Sequence, residues 1–425
     1  MARILILDGH TTQALACVRS LGRAGHLVYV ASERRWPLAG ASRYCRERVR
    51  LADQTLASHA ALRAWAAQRG IEIVLPLTER SCVLCNAEAG AWRDEGVVLG
   101  CGPNEMLRDA FDKTRTIQHA IACGIPVPRT RFPTSLVAYR EAARELGLPC
   151  VVKPRFSNAW DGAAFLPDPG VGYLSRAADL APVVLKRRQG PHWPILQQYV
   201  RGQGKGVFAL CDHGRPVLWF AHERLRDIRP SGSGSSLRRS VPLDPVLRDA
   251  ASRLLAELSW HGPAMLEFID DGAGGRWLME VNGRFWGSLA LAIAAGVDFP
   301  SQWVRLLQGN PVAPSTSYRV GVTLRWPWGD IKRLLHILRG PPRGYPDRYP
   351  PRWRGLRELL GPQPKGTRRE TWAWDDPWPA VAEWRQGFTE LLARGDGPNG
   401  GAPTRAERRA GASPVGRIGI GATQG

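Results

Sequence analysis

Two short apolar runs in the second half of the chain each carry a single acid, and together they constrain the fold more than any other feature. One is Ala264-Met265-Leu266-Glu267-Phe268-Ile269; the other is Arg276-Trp277-Leu278-Met279-Glu280-Val281-Asn282. The Asp- and Gly-rich stretch 270–275 between them suits a hairpin connection. Side chains alternate between the faces of a strand, so Glu280 and Asn282 share one face and Val281 takes the other. Two acids and an amide oxygen then face each other across a strand pair, with Arg284 close behind. Hard oxygen ligands of this kind suit Mg²⁺ shared between protein and nucleotide phosphates. Taken alone, Glu280 reads equally well as an exposed strand acid before an Asn282-Gly283 turn. The matching acid at Glu267 favours the paired reading.

A chain of 425 residues is too long for one compact core and implies two or three domains. Its 44% hydrophobic and 23% charged residues are the composition of a soluble globular protein. No apolar run approaches the roughly 18 residues of a membrane span, and Asp8 interrupts the first run too early for a signal-peptide core. A cytoplasmic protein without a membrane partner is therefore expected. Eight cysteines are scattered, and the close pair Cys82 and Cys85 has no second pair at zinc-finger distance. Buried thiols are the simpler expectation. The formal charge of +20 comes largely from arginine spread along the whole chain. Such a surplus is compatible with a polyanionic partner, but its spread, with no basic block or recognisable motif, argues against nucleic acid.

The chain opens with a strand at 3–8, a helix at 13–22 and a second strand at 27–31, and this β-α-β order implies a parallel, doubly wound sheet. The Gly-x-Gly-x-x-Gly fingerprint is missing, which argues against a dinucleotide site there. Helices and strands continue to alternate up to residue 99. The texture changes at Pro103. Asp112-Lys113 opens a helix that Gly124 caps and Ile125-Pro126-Val127-Pro128 stops. By itself Lys113 reads as a solvated surface cation. Lys153 follows the apolar strand Cys150-Val151-Val152 and precedes Pro154, so the strand orients its ammonium, which can pair with phosphate as a point charge. Farther on, residues 230–236 are rich in Ser and Gly, a linker-like composition, and are followed by Leu237-Arg238-Arg239.

These segments resemble the ATP-grasp superfamily over about three quarters of the chain. Glu280-Val281-Asn282-Gly283-Arg284 stands where its members carry Glu-Val-Asn-Pro-Arg, with Gly283 in place of proline. The resemblance implies an α/β chain: an N-terminal pre-ATP-grasp, doubly wound parallel α/β domain (1–102) followed by a two-lobed α+β ATP-grasp domain (103–312). A Trp-, Pro- and Arg-rich region (313–394) and a tail (395–425) complete the chain, and the tail's low apolar content predicts disorder. By the same resemblance, Glu267, Glu280 and Asn282 hold Mg²⁺ or Mn²⁺, and Arg284 contacts phosphate or an acyl-phosphate intermediate. Lys113 and Lys153 reach ATP phosphates. Gln197, Tyr199 and Val200 form the adenine hinge, and Gln203 stands at the ribose position where glutamate is usual. Arg239, with Arg238 beside it, meets the transferred phosphate. Residues 155–162 depart from the family's glycine-rich flap.

The activity implied is that of an ADP-forming ligase, which activates a carboxylate as an acyl phosphate and joins it to an amine or other nucleophile. Its partners would be ATP and small carboxylate and amine substrates, with a homo-oligomer left open. Two other readings stay open. One is a same-fold enzyme acting on bicarbonate or another small acid, like carbamoyl-phosphate synthase or biotin carboxylase. The other is a nucleotide-binding scaffold whose basic C-terminal region binds a partner.

Overall fold

A computed structural model of the chain describes residues 1–393; the tail expected to be disordered lies outside the described residues. Five parallel strands open the chain: β1 (Arg3–Ile6), β2 (Leu27–Ser32), β3 (Cys45–Arg50), β4 (Ile73–Leu75) and β5 (Val98–Leu99), in the order β3-β2-β1-β4-β5. Strand alternation divides their side chains between two cores. Ile4, Ile6, Val28 and Val30 pack with Leu15 and Val18 of helix Thr12–Arg23, while Leu5, Leu7 and Tyr29 pack with Leu62 and Ala66 of helix Leu56–Gln68. Both faces are covered, as a parallel sheet requires. Cys82 and Cys85 are buried free thiols on helix Glu79–Ala87.

Next comes a four-stranded antiparallel sheet of β6 (Thr130–Arg131), β7 (Cys150–Lys153), β8 (Gly172–Leu174) and β9 (Ile195–Gln198), in the order β6-β9-β7-β8. Cys150, Val152, Leu174 and Leu196 bury one face of it against Tyr139 and Leu146 of helix Leu136–Leu146. The other face is left to line a cavity.

The third sheet has seven strands: β10 (Gln203–Asp212), β11 (Arg215–Arg229), β12 (Ser233–Ser240), β13 (Gly262–Asp270), β14 (Arg276–Asn282), β15 (Thr323–Arg325) and β16 (Arg368–Arg369). Their order is β14-β13-β10-β11-β12-β15-β16. Val207, Ala209, Leu266 and Val281 pack on one side against helix Pro245–Glu257. On the other side Phe208, Phe220 and Met265 join the core of the first sheet through Trp286 and Phe299. That side is apolar toward one end of the sheet and charged toward the other, where it meets the cavity.

Two stretches differ from what their composition alone suggests. The Ser/Gly-rich stretch, whose place between strands argues against a linker, runs into Ser233–Ser240, a strand paired on both sides, by β11 and β15, with Leu237 and Arg238 buried. Backbone hydrogen bonding to two neighbours overrides its flexible composition. The break expected after residue 312 is not a break in the sheet either, since β15 and β16 extend it. Ion pairs reinforce the join: Arg226 meets Asp330 at 2.8 Å, and the buried Arg238 meets Glu370. Among the described residues, no helix is long and apolar enough to cross a membrane.

Candidate active site

Between the four-stranded and seven-stranded sheets lies a cavity of about 2020 Å³. Its acidic wall is the β13–β14 hairpin. Glu267 and Glu280 are directly opposed in register, and a bulge follows between Glu267 and Phe268. The Asn282 Nδ2 donates to Glu280 Oε1 at 3.2 Å and to Glu267 Oε1 at 3.3 Å. Arg284 Nη2 donates to Asn282 Oδ1 at 3.1 Å. The amide thus turns its N–H side to the carboxylates and its oxygen to Arg284, whereas the sequence led us to expect all three oxygens together. Carboxylates accept hydrogen bonds, so they attract the amide's donor side. Arg224 of β11 also bonds Glu267.

The opposing cations come from different elements. Lys153 ends β7, and Lys113 is the first residue of helix Lys113–Ala122. Asp112 caps that helix, accepting from Thr114 N at 3.0 Å, and its buried carboxylate pairs with Arg155 at 2.6 Å. Lys113 Nζ donates to Ser157 Oγ at 2.9 Å, which ties the helix start to the segment after β7. Burial pulls the Lys153 ammonium down to about 8; Glu280 and Glu267 act against this, and Lys113 adds to it. For Glu280, burial acts to raise the carboxyl, but Lys113, Lys153 and Arg284 outweigh it and hold it below the usual range. The cations therefore keep Glu280 charged despite its burial. The two opposed carboxylates are hard oxygen donors, and with a turn of the Asn282 amide they fit a divalent cation.

Farther along the cavity, Gln197 of β9 is fully buried. Its Nε2 donates to Thr130 Oγ1 at 2.9 Å, while its Oε1 has no partner. Gln197, Tyr199 and Val200 line the cavity, and Ile269 and Met279 face them from the large sheet. Gln203 does not join them: it is exposed, and its Nε2 donates to the Arg224 carbonyl at 3.4 Å.

Arg239 is also displaced from its expected place. It is exposed and bonded to Glu223, its cross-strand partner. The neighbouring Arg238 pairs with Arg224 and so shares the face that carries Glu267. Alternation along β12 thus points the two arginines to opposite faces. Gly283 has its own steric reason, because a side chain there would run into the Trp260 ring.

Sequence reasoning missed Arg224, although alternation from Phe220 through His222 would have placed it on the charged face. It also missed Tyr345 and Asp347. Both line the cavity, and Asp347 accepts from the Tyr199 hydroxyl at 2.6 Å. No local pattern marks them.

Residues 193–326 match the family model described as ATP-grasp in the biosynthetic pathway with Ter operon. Among curated relatives, the D-alanine–D-alanine ligase of Stutzerimonas stutzeri is 29% identical over 216 residues, covering 47% of this chain and 65% of that protein. The carbamoyl phosphate synthase large chain of Thermus thermophilus is 27% identical over 226 residues, covering 50% of this chain and 21% of that one. This chain therefore spans less than two thirds of the length of the curated relatives it matches. Among solved structures, the biotin carboxylase–β,γ-ATP complex from Campylobacter jejuni has the same fold, with a TM-score of 0.60 and 16% identity over 76% of this chain and 74% of that one.

Proposed function

We propose that this chain, which belongs to the ATP-grasp superfamily, is an ADP-forming ligase that activates a carboxylate as an acyl phosphate and joins it to an amine or another nucleophile. The observation that carries the proposal is the direct opposition of Glu267 and Glu280 in a cavity that Lys113 and Lys153 also line. Such a set binds a polyanion and a hard divalent cation together, as phosphoryl transfer from ATP requires.

In this reading the Gln197 Oε1, buried and without a partner, accepts from the amino group of adenine. Tyr199 and Val200 border the base, and Ile269 and Met279 supply its apolar bed. Lys153 and Lys113 hold phosphate oxygens. Glu267, Glu280 and the oxygen of Asn282 would hold Mg²⁺, which when bound neutralises charge on the transferred phosphoryl group. Arg284 steadies Asn282 and stands ready for the acyl phosphate. Arg224, which lines the cavity, takes the place of Arg239, while Arg238 shares its face of the sheet but is buried against Glu370.

The test is Mg²⁺-dependent ADP release from ATP, screened against amino acids and small carboxylates offered singly and in pairs. Release that depends on one carboxylate and one acceptor is expected. Nucleotide binding with no ADP release for any pair would favour a scaffold role.

A further inference from the structure

The cavity is larger than one nucleotide needs. At about 2020 Å³ it is roughly twice the upper end of the ~300–1,000 Å³ typical of small-molecule sites. Beyond the Tyr199 hinge, part of its wall comes from residues that follow the family-model match, namely the end of helix Pro327–Arg339 and the segment 340–349. That segment is held firmly. The Tyr345 ring meets Tyr173 at 5.0 Å, and Asp347 binds the Tyr199 hydroxyl and pairs with Arg201. Gly344 has φ +74°, and a side chain there would strike the Tyr173 carbonyl.

This end of the cavity carries a surplus of positive charge. Arg229 ends β11, Lys186 follows helix Leu180–Leu185, Arg339 ends its helix, and Arg343 lies on the segment itself. All four line the cavity, and none makes an ion pair among the described residues. The acids on the same wall are fewer: Asp179 pairs with Arg176 at 3.1 Å with Arg343 also acting on it, and Asp347 pairs with Arg201. Asp227 lies 3.9 Å from Arg224, and the exposed Asp168 accepts from Gly170 N at 2.9 Å. Unpaired basic side chains are common on a chain of net charge +20. These four, however, converge on one cavity from three parts of the fold, where like charges repel unless an anion lies among them.

We infer that this end of the cavity holds the anionic part of the second substrate, an oligoanion bearing two or more carboxylates or phosphates. The inference rests on the proposed ligase reading only for which end of that molecule reacts; its binding does not depend on it. Arginine suits such groups because its planar fork meets carboxylate and phosphate oxygens in pairs.

The test uses the full chain and calorimetry, with tripolyphosphate and triglutamate as probes and triglycine as the uncharged control. Titrations are run with the protein free and saturated with Mg·AMP-PNP. At least one oligoanion should bind the nucleotide-saturated protein, and its chemistry then says whether phosphate or carboxylate is preferred. The Arg339→Gln/Arg343→Gln variant, altered only at exposed side chains, should weaken that binding about tenfold or more while leaving its melting temperature and AMP-PNP affinity unchanged. An oligoanion that binds parent and variant alike, or neither probe binding the parent, would overturn the inference. If AMP-PNP fails to bind while the oligoanion still depends on the two arginines, the ligase reading falls and this one stands.

Discussion

Lys153 sits at the end of β7 with Glu280 and Glu267 across from it and Lys113 nearby, and burial brings its ammonium down to about 8 from an ordinary 10.5. Below pH 8 the side chain is protonated in both the folded and unfolded chain. Between about 8 and 10.5 only the unfolded chain keeps the proton, so burying this lysine costs less stability as the pH rises through that window. Nucleotide binding has the opposite dependence, because the proposed phosphate contact needs the cation. AMP-PNP affinity should therefore fall by up to roughly tenfold per pH unit above pH 8. Binding there should take up a proton, read by calorimetry in buffers of different ionisation enthalpy. In Lys153→Arg, whose guanidinium stays charged, the affinity should stay flat. A parent affinity that does not change across this range would remove Lys153 from the phosphate site. Residues of this kind were legible in part. The hairpin brought Glu267 and Glu280 close together in the sequence reading, but the bulge between Glu267 and Phe268 that opposes them is not legible there, since unbroken alternation would set Glu267 against Met279. Arg238 and Arg239 could not be told apart, because the β11–β12 pairing shifts register between Arg224 and Arg226 and again before Asp227. The first shift breaks the alternation and the second restores it, so a single period cannot be carried along this pairing.

Strand β12 is the element that composition describes worst. Its Ser and Gly residues carry little strand preference, and the pairing that makes it a strand comes from β11 on one side and from β15, some eighty residues later, on the other. Because β15 covers that edge, the region after residue 312 is part of the sheet's structure rather than an appendage. Arg226 and the buried Arg238 depend on it for Asp330 and Glu370. Stranding one member of a buried pair typically costs about 3–5 kcal/mol. A chain ending at Val312 loses both partners and bares the β12 edge. It should melt at least about 10 °C below the full chain or fail to fold cooperatively, as followed by circular dichroism. A melting temperature equal to the parent's would instead mark the region as a separate unit.

Across the molecule, the parallel first sheet was readable from the β-α-β rhythm alone, since both of its faces are buried and its strands are simple apolar runs. The closure of the cavity was not. It depends on contacts such as Tyr199 with Asp347, 148 residues apart, for which no local period exists. The proposed nucleotide site likewise belongs to no single lobe. Lys153 and Gln197 come from the four-stranded sheet, and Glu267 and Glu280 from the seven-stranded one. A divalent cation held by the acids and shared with phosphates gripped by the lysines would tie the two sheets together through the ligand. The strength of that tie can be read without knowing the substrates, by measuring AMP-PNP affinity with and without Mg²⁺ for the parent and for Glu280→Gln, with a melting curve for each. Mg²⁺ should tighten binding to the parent by about tenfold or more, roughly 1.4 kcal/mol, and Glu280→Gln should keep its fold and lose most of that gain. An equal Mg²⁺ gain in the two proteins would contradict a metal-bridged nucleotide site at Glu280.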